Sequence, residues 1–274
     1  MLETALVLLL IALLIAAILL SPMLVKQRRK RMMQRSFPPL WNALVENALP
    51  MYTRLSPEQR RQLQGHIQVF LAEKQFIGCA GLQVTEEMRV TIAAIACLLL
   101  LNGRGHYFSN LRSILLYPGA YWATEITSAD GYIVEEQRVA RLGESWVRDQ
   151  VVLSWEQVQH DRGHWQDGQN VVLHEFAHQL DQEDGKGEGV PILEQRSEYE
   201  QWAKVMAQEY QRLCQEVQRG LKTVMDRYGT TNPAEFFAVA TETFFEKPSA
   251  LQQHTPALYD LLQHYYQLDP VQWL

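Results

Sequence analysis

The chain opens on an apolar run. Residues 5–20 carry no polar side chain, Ser21 and Pro22 interrupt, and residues 23–25 resume the run. As a helix, residues 5–25 would span about 31 Å, against about 30 Å for the hydrocarbon core of a bilayer. Residues 26–50 are first basic and then proline-bearing (Pro38, Pro39, Pro50). They read as a tether with a short helix. From Ser56 the pattern becomes helical. Ser56-Pro57-Glu58 provides an N-cap, a proline at the first helical position and an acidic first turn, and predicts a helix to about Glu73. Thr85 caps a second helix, and the nearly all-apolar stretch 90–101 is too short to cross a bilayer, so it reads as a buried core helix ending at Asn102-Gly103.

The middle of the chain changes character. Residues 113–158 are richer in β-branched and aromatic residues. Strands are expected at 121–126 and 132–134 around a turn at 128–131, and the strongest strand signal is 151–155. After a loop at 160–168, helices are predicted over 170–181, 198–219, 232–246 and 249–266, the third with Asn232 as N-cap and Pro233 at its first position. The fold class is therefore α+β and mainly helical, with a small mixed or antiparallel sheet beside one of the helices. Three domains follow: residues 1–25, residues 26–50, and a globular unit over 51–274.

Charge and composition narrow the setting. The 274 residues carry a net charge of −6, which argues against nucleic acid as a partner. The three cysteines, Cys79, Cys97 and Cys214, form no C-x-x-C pair and read as free thiols of a reducing compartment. Glu3 is the one charged side chain ahead of the apolar run, and Lys26, Arg28, Arg29, Lys30 and Arg31 follow it. That order fits an uncleaved single-pass transmembrane anchor in the cytoplasmic (inner) membrane, with everything after Lys26 in the cytoplasm.

The chemistry sits in His174-Glu175-Phe176-Ala177-His178. Residues four apart on a helix share a face, so His174 and His178 can bind one Zn²⁺ while Glu175, displaced around the helix, serves as general base. This is the H-E-x-x-H logic of a zinc peptidase. The surrounding Val171, Val172, Leu173, Phe176, Ala177 and Leu180 make the helix apolar, and buried histidines need partners that a metal would provide. A third ligand must come from elsewhere, and Glu198 and Glu235 both qualify by position. Glu242 lies one heptad beyond Glu235 and is a candidate to support a ligand. Asp181 would either orient a histidine or cap a loop. The strand at 151–155 is placed beside the cleft, where it could pair with extended substrate backbone.

Four stretches together resemble one family. Thr85-Glu-Glu-Met-Arg-Val90, Val152-Leu-Ser-Trp155, Leu173-His-Glu-Phe-Ala-His-Gln-Leu-Asp181 and Asn232-Pro-Ala-Glu-Phe-Phe-Ala-Val-Ala-Thr-Glu242 are similar to the zinc-dependent peptidase family of Mlc titration factor A, over about residues 35–265. The resemblance implies a zincin-like catalytic core similar to that of anthrax lethal factor. It implies His174, His178 and Glu235 as metal ligands, Glu175 as base and Tyr228 as the group stabilising the oxyanion. It also implies aminopeptidase-type hydrolysis of peptides and, from the family's namesake, binding of the glucose repressor Mlc. The rival expectation is a membrane-tethered regulatory protein that sequesters such a repressor, with structural zinc.

Overall fold

The computed structural model describes residues 2–103, 107–119, 121–129, 133–141, 143–147 and 149–273. In chain order the elements are α1 (Leu2–Met33), α2 (Pro39–Ala48), α3 (Pro57–Glu73), β1 (Gln75–Gly78), α4 (Glu86–Leu98), β2 (Ser113–Tyr117), β3 (Tyr121–Ala129), β4 (Ile133–Arg141), β5 (Gly143–Val147), β6 (Gln150–Ser154), α5 (Trp155–Arg162), α6 (Val171–Asp181), α7 (Arg196–Gln218), α8 (Pro233–Glu246), α9 (Pro248–His254) and α10 (Pro256–Tyr266).

The single-pass anchor, and the inner-membrane placement that rests on it, are corrected here. Among the described residues, no helix is long and apolar enough to cross a membrane. The apolar run is not an element by itself. It belongs to one helix of 32 residues that continues through Pro22 and the basic cluster. The far end of that helix docks on α3. Arg29 makes a two-pronged pair with Glu73 at 2.8 and 2.9 Å and covers the ring of Tyr107, and Met32 is buried. Next along the chain, α2 buries Val45 and Ala48 against α4.

Local signals set most helix starts. Ser56 accepts from the Gln59 amide while the Gln59 side chain accepts from Ser56 N, closing a capping box on α3. Thr85 caps α4 through Met88 N. Within α4, every residue from Val90 to Leu98 is buried, and the helix packs on α2, α3 and α6. It ends close to the predicted signal, Asn102 taking a left-handed φ of 68°. The helix expected over 249–266 is two helices, because Pro256 lacks an amide hydrogen and forces Thr255 out of helical geometry (φ −137°, ψ 61°).

The sheet is mixed, one of the two forms expected, but its body is not antiparallel. Its order is β1-β2-β6-β5; β1, β2 and β6 run parallel, and only the edge strand β5 is antiparallel, to β6. The body of the sheet is thus parallel, because α4 lies between β1 and β2 in the chain and returns it in the same direction. The antiparallel pairing expected near residues 121–134 is present as the separate β3–β4 hairpin, whose turn reaches outside the described residues. Strand 151–155 is confirmed in place as β6, but it lies between β2 and β5 with both edges taken. The strand at the sheet's edge that packs on α6 is β5.

Candidate metal centre

Helix α6 brings the motif together. Asn170 caps it by accepting from Leu173 N at 3.1 Å. The start of the helix is held by three acidic side chains. Asp161 accepts from Val171 N, Glu242 from Asn170 N, and Glu246 from Gly168 N, Gln169 N and the Asn170 side chain. Glu246 is buried, and burial pushes its carboxyl up to about 9 despite those donors, Asp167 and Glu242 pushing the same way. At the other end, Asp181 accepts from Gly189 N and Val190 N at 2.9 and 2.7 Å. Of its two expected roles it performs the loop-capping one.

Helix α8 packs along α6 and faces it with a row of glutamates. Glu235, Glu242 and Glu246 recur at helical spacing on a helix whose other residues are apolar apart from Thr241 and Thr243. Asn232 caps α8 through Glu235 N, yet the Glu235 carboxylate does not fold back on the cap. Its Oε2 lies 3.0 Å from His174 Nε2 and 3.3 Å from His178 Nε2, and the two imidazole nitrogens are 3.2 Å apart. On the far side of the ring, His174 Nδ1 is 2.7 Å from Glu242 Oε1. A carboxylate there fixes the ring's orientation and leaves Nε2 for a ligand.

The triangle fits a metal ion. Donors of a tetrahedral site with bonds of about 2.0–2.1 Å stand about 3.3 Å from one another. His174, His178 and Glu235 offer one donor atom each at that spacing, and among the described residues they are the group so placed. The electrostatics agree. Burial alone would lower the His174 imidazole, but Glu242 and Glu235 outweigh it and hold it well above its ordinary value. Burial would raise Glu235, but its bonds to the two histidines hold it far below the usual carboxylate range. The charges that favour a proton on His174 favour a cation in the same place.

Glu175 lies beside this triangle. It is only 4% exposed, and its Oε2 has no hydrogen-bond partner among the described residues. Burial raises its carboxyl, against the pull of His174 and His178. Tyr228 is half-exposed, with its ring centroid 5.9 Å from that of His174. Asp226 holds its turn, accepting from Tyr228 N at 2.7 Å and, through the other oxygen, from the Gln169 side chain at 2.9 Å. Glu198 is elsewhere. It caps the start of α7, accepting from Glu194 N and Gln195 N, and pairs with the exposed His264. Sequence reading missed Asp161, Asp226 and Glu246. The spacing of Glu246 from Glu235 and Glu242 was a usable signal; the other two sit in loops or at a helix end, with no pattern to mark them.

Comparison with known proteins bears on this geometry. The profile of the glucose-regulated metallo-peptidase M90 family matches residues 24–267, nearly the whole chain and all of the site. The chain belongs to the M90 family. Similar proteins include the uncharacterized protein slr2042 of Synechocystis sp., 48% identical over 272 residues and covering 99% of both chains. Mlc titration factor A of Klebsiella pneumoniae is 32% identical over 228 residues, 82% of this chain and 85% of that protein. Mlc titration factor A of Cronobacter sakazakii is 29% identical over 234 residues, 84% and 86% of the two chains. The family's description as a metallo-peptidase suggests a metal, and among the described residues His174, His178 and Glu235 are the group that could hold one.

Proposed function

We propose that this M90 protein is a zinc-dependent peptidase of zincin-like arrangement, with aminopeptidase-type hydrolysis of peptides. His174, His178 and Glu235 hold the metal, and the two-nitrogen, one-oxygen donor set suits Zn²⁺. The observation that carries the reading is Glu175. A buried carboxylate with a bare oxygen lowers stability unless something else requires it. Placed next to the ligand triangle, it is suited to accept a proton in the reaction.

When bound, zinc supplies Lewis acidity and makes a water acidic enough to ionise near pH 7. Glu175 takes the proton of the attacking water and delivers it to the leaving amine. Burial raises its basicity toward that task. The Tyr228 hydroxyl donates to the oxyanion that develops at the scissile carbonyl. Glu242 keeps the His174 ring in register, and the outer edge of β5 pairs with extended substrate backbone. The test is hydrolysis of peptides with free and acetylated N-termini. Activity on the free series should be lost on chelation and return with Zn²⁺. Hydrolysis indifferent to chelation would overturn the reading.

The name borne by the relatives supports a second reading, in which the chain binds and titrates a repressor of the Mlc type. Capture of such a repressor by the Glu175→Gln protein, with no cleavage of any peptide by wild type, would favour it.

A further inference from the structure

A cavity of about 290 Å³ opens between the loop after α6, the middle of α7 and the start of α8. Gly189 and Val190 line it from the loop, Trp202, Met206 and Tyr210 from α7, and Phe236 from α8. The lining is chiefly apolar. The volume is at the low end for small-molecule sites, about 300 Å³. It suits one large side chain better than a cofactor.

Each wall is fastened to a part of the metal centre. Phe236 follows the ligand Glu235 directly in α8. The loop is pinned by Asp181, three residues past His178. It is also pressed against the first turn of α8. A Cβ on Gly189, which has φ +77°, would lie 2.4 Å from Pro233 O, so only glycine lets the loop seat there. Trp202 locks the same loop by donating to Gly189 O at 2.9 Å. Tyr210 donates to Thr230 O at 3.0 Å, in the turn that carries Tyr228. A cavity joined at three points to the ligands and to Tyr228 holds a fixed position relative to the reacting centre.

We propose that this cavity is a substrate subsite for the bulky apolar or aromatic side chain of a residue close to the bond that is cut. The inference rests on the peptidase reading above. The small side chains of Ala203 and Ala207, on the exposed side of α7, leave its mouth open. Glu188 at the rim opposes an acidic side chain by like charge.

The test uses the full-length, zinc-loaded protein and alanine-based peptides in which one phenylalanine is moved along the chain. Wild type should cleave best with phenylalanine at one position near the bond, by about tenfold or more over alanine. Ala207→Phe, which fills the mouth, should reduce that ratio about tenfold; melting temperature and metal content report that the variant is folded. Ala203→Phe is the second variant if the first fails to fold. A phenylalanine-to-alanine ratio near one, or a ratio that the filled mouth leaves unchanged, overturns the subsite while the peptidase reading stands. If wild type cleaves none of the peptides, the peptidase reading falls instead. The subsite is then decided by titrating the Glu175→Gln protein with the same peptides. The cavity stands as a pocket for an apolar peptide side chain, though not beside a cleaved bond, if a phenylalanine peptide binds about tenfold tighter than alanine and Ala207→Phe removes the difference. It falls if all peptides bind alike or none binds.

Discussion

Helices α4 and α6 pack against each other, and both are largely buried, but they are buried on different terms. In α4 the stretch Val90–Leu98 has one polar side chain, Thr91. Its burial is stabilised by removing apolar surface from water, at about 25 cal/mol per Å². In α6 the buried set includes Glu175, His178, Gln179 and Asp181, and His174 is nearly enclosed as well. Those groups lower stability unless they are paired. His174 and His178 find partners in Glu235 and Glu242 on α8, and Asp181 in the loop at 189–190, while Glu175 keeps a bare oxygen. The first helix serves the core. The second carries a polar network into the core, with the candidate metal group His174, His178 and Glu235 at its centre.

That contrast can be broken most sharply by truncating each helix in turn. His178→Ala removes a ligand, and bound metal after dialysis should fall to background while the fold persists. Ile95→Ala in α4 should do the reverse: a loss of about 2–5 kcal/mol in denaturant unfolding with metal retained. Metal loss in the α4 variant at full foldedness would erase the distinction. A smaller effect is expected from Tyr228→Phe, about a hundredfold in kcat with KM little moved. An unchanged kcat would remove the tyrosine from the mechanism. Glu242→Ala takes away the support of His174, and metal affinity should weaken about 10–100-fold in competition with a chelator. The smallest effect tests the acidic side chains at the start of α6. Glu246, raised to about 9 in the folded protein, retains a proton that the unfolded chain releases near its ordinary value of 4.5. Its contribution is complete below that ordinary value and is lost as pH rises through about 9. Denaturation midpoints should therefore decline between about pH 5 and 9, and Glu246→Gln should flatten that decline.

How much of this is visible in the chain depends on how local the cause is. The H-E-x-x-H spacing and the caps Ser56, Thr85, Asn170 and Asn232 act within one or two turns, and the helices start where those residues say. Pro256 was equally local, and it breaks the last predicted helix in two. The choice between Glu198 and Glu235 was not local. Both occupy the third position after a cap, and what separates them is the neighbour their helix faces: His264 for one, the α6 histidines for the other. Family resemblance, not spacing, pointed to Glu235. Strand β1 is four residues long and mostly exposed, so it had no hydrophobic alternation to announce it. Which strand would form the sheet's edge depended on pairing between distant segments, and so 151–155, expected beside the cleft and free to pair with substrate, lies instead between β2 and β5. The apolar run at the start matched a bilayer in length, but length alone said nothing of the docked, basic end that belongs to the same helix.

The most direct test of the central claim is Glu175→Gln, assayed for metal content and peptide hydrolysis on one preparation. Metal should remain at the wild-type stoichiometry, because the side chain is not among the donors, while hydrolysis should fall about 10²–10⁴-fold. Hydrolysis at the wild-type rate with the metal in place would contradict the account.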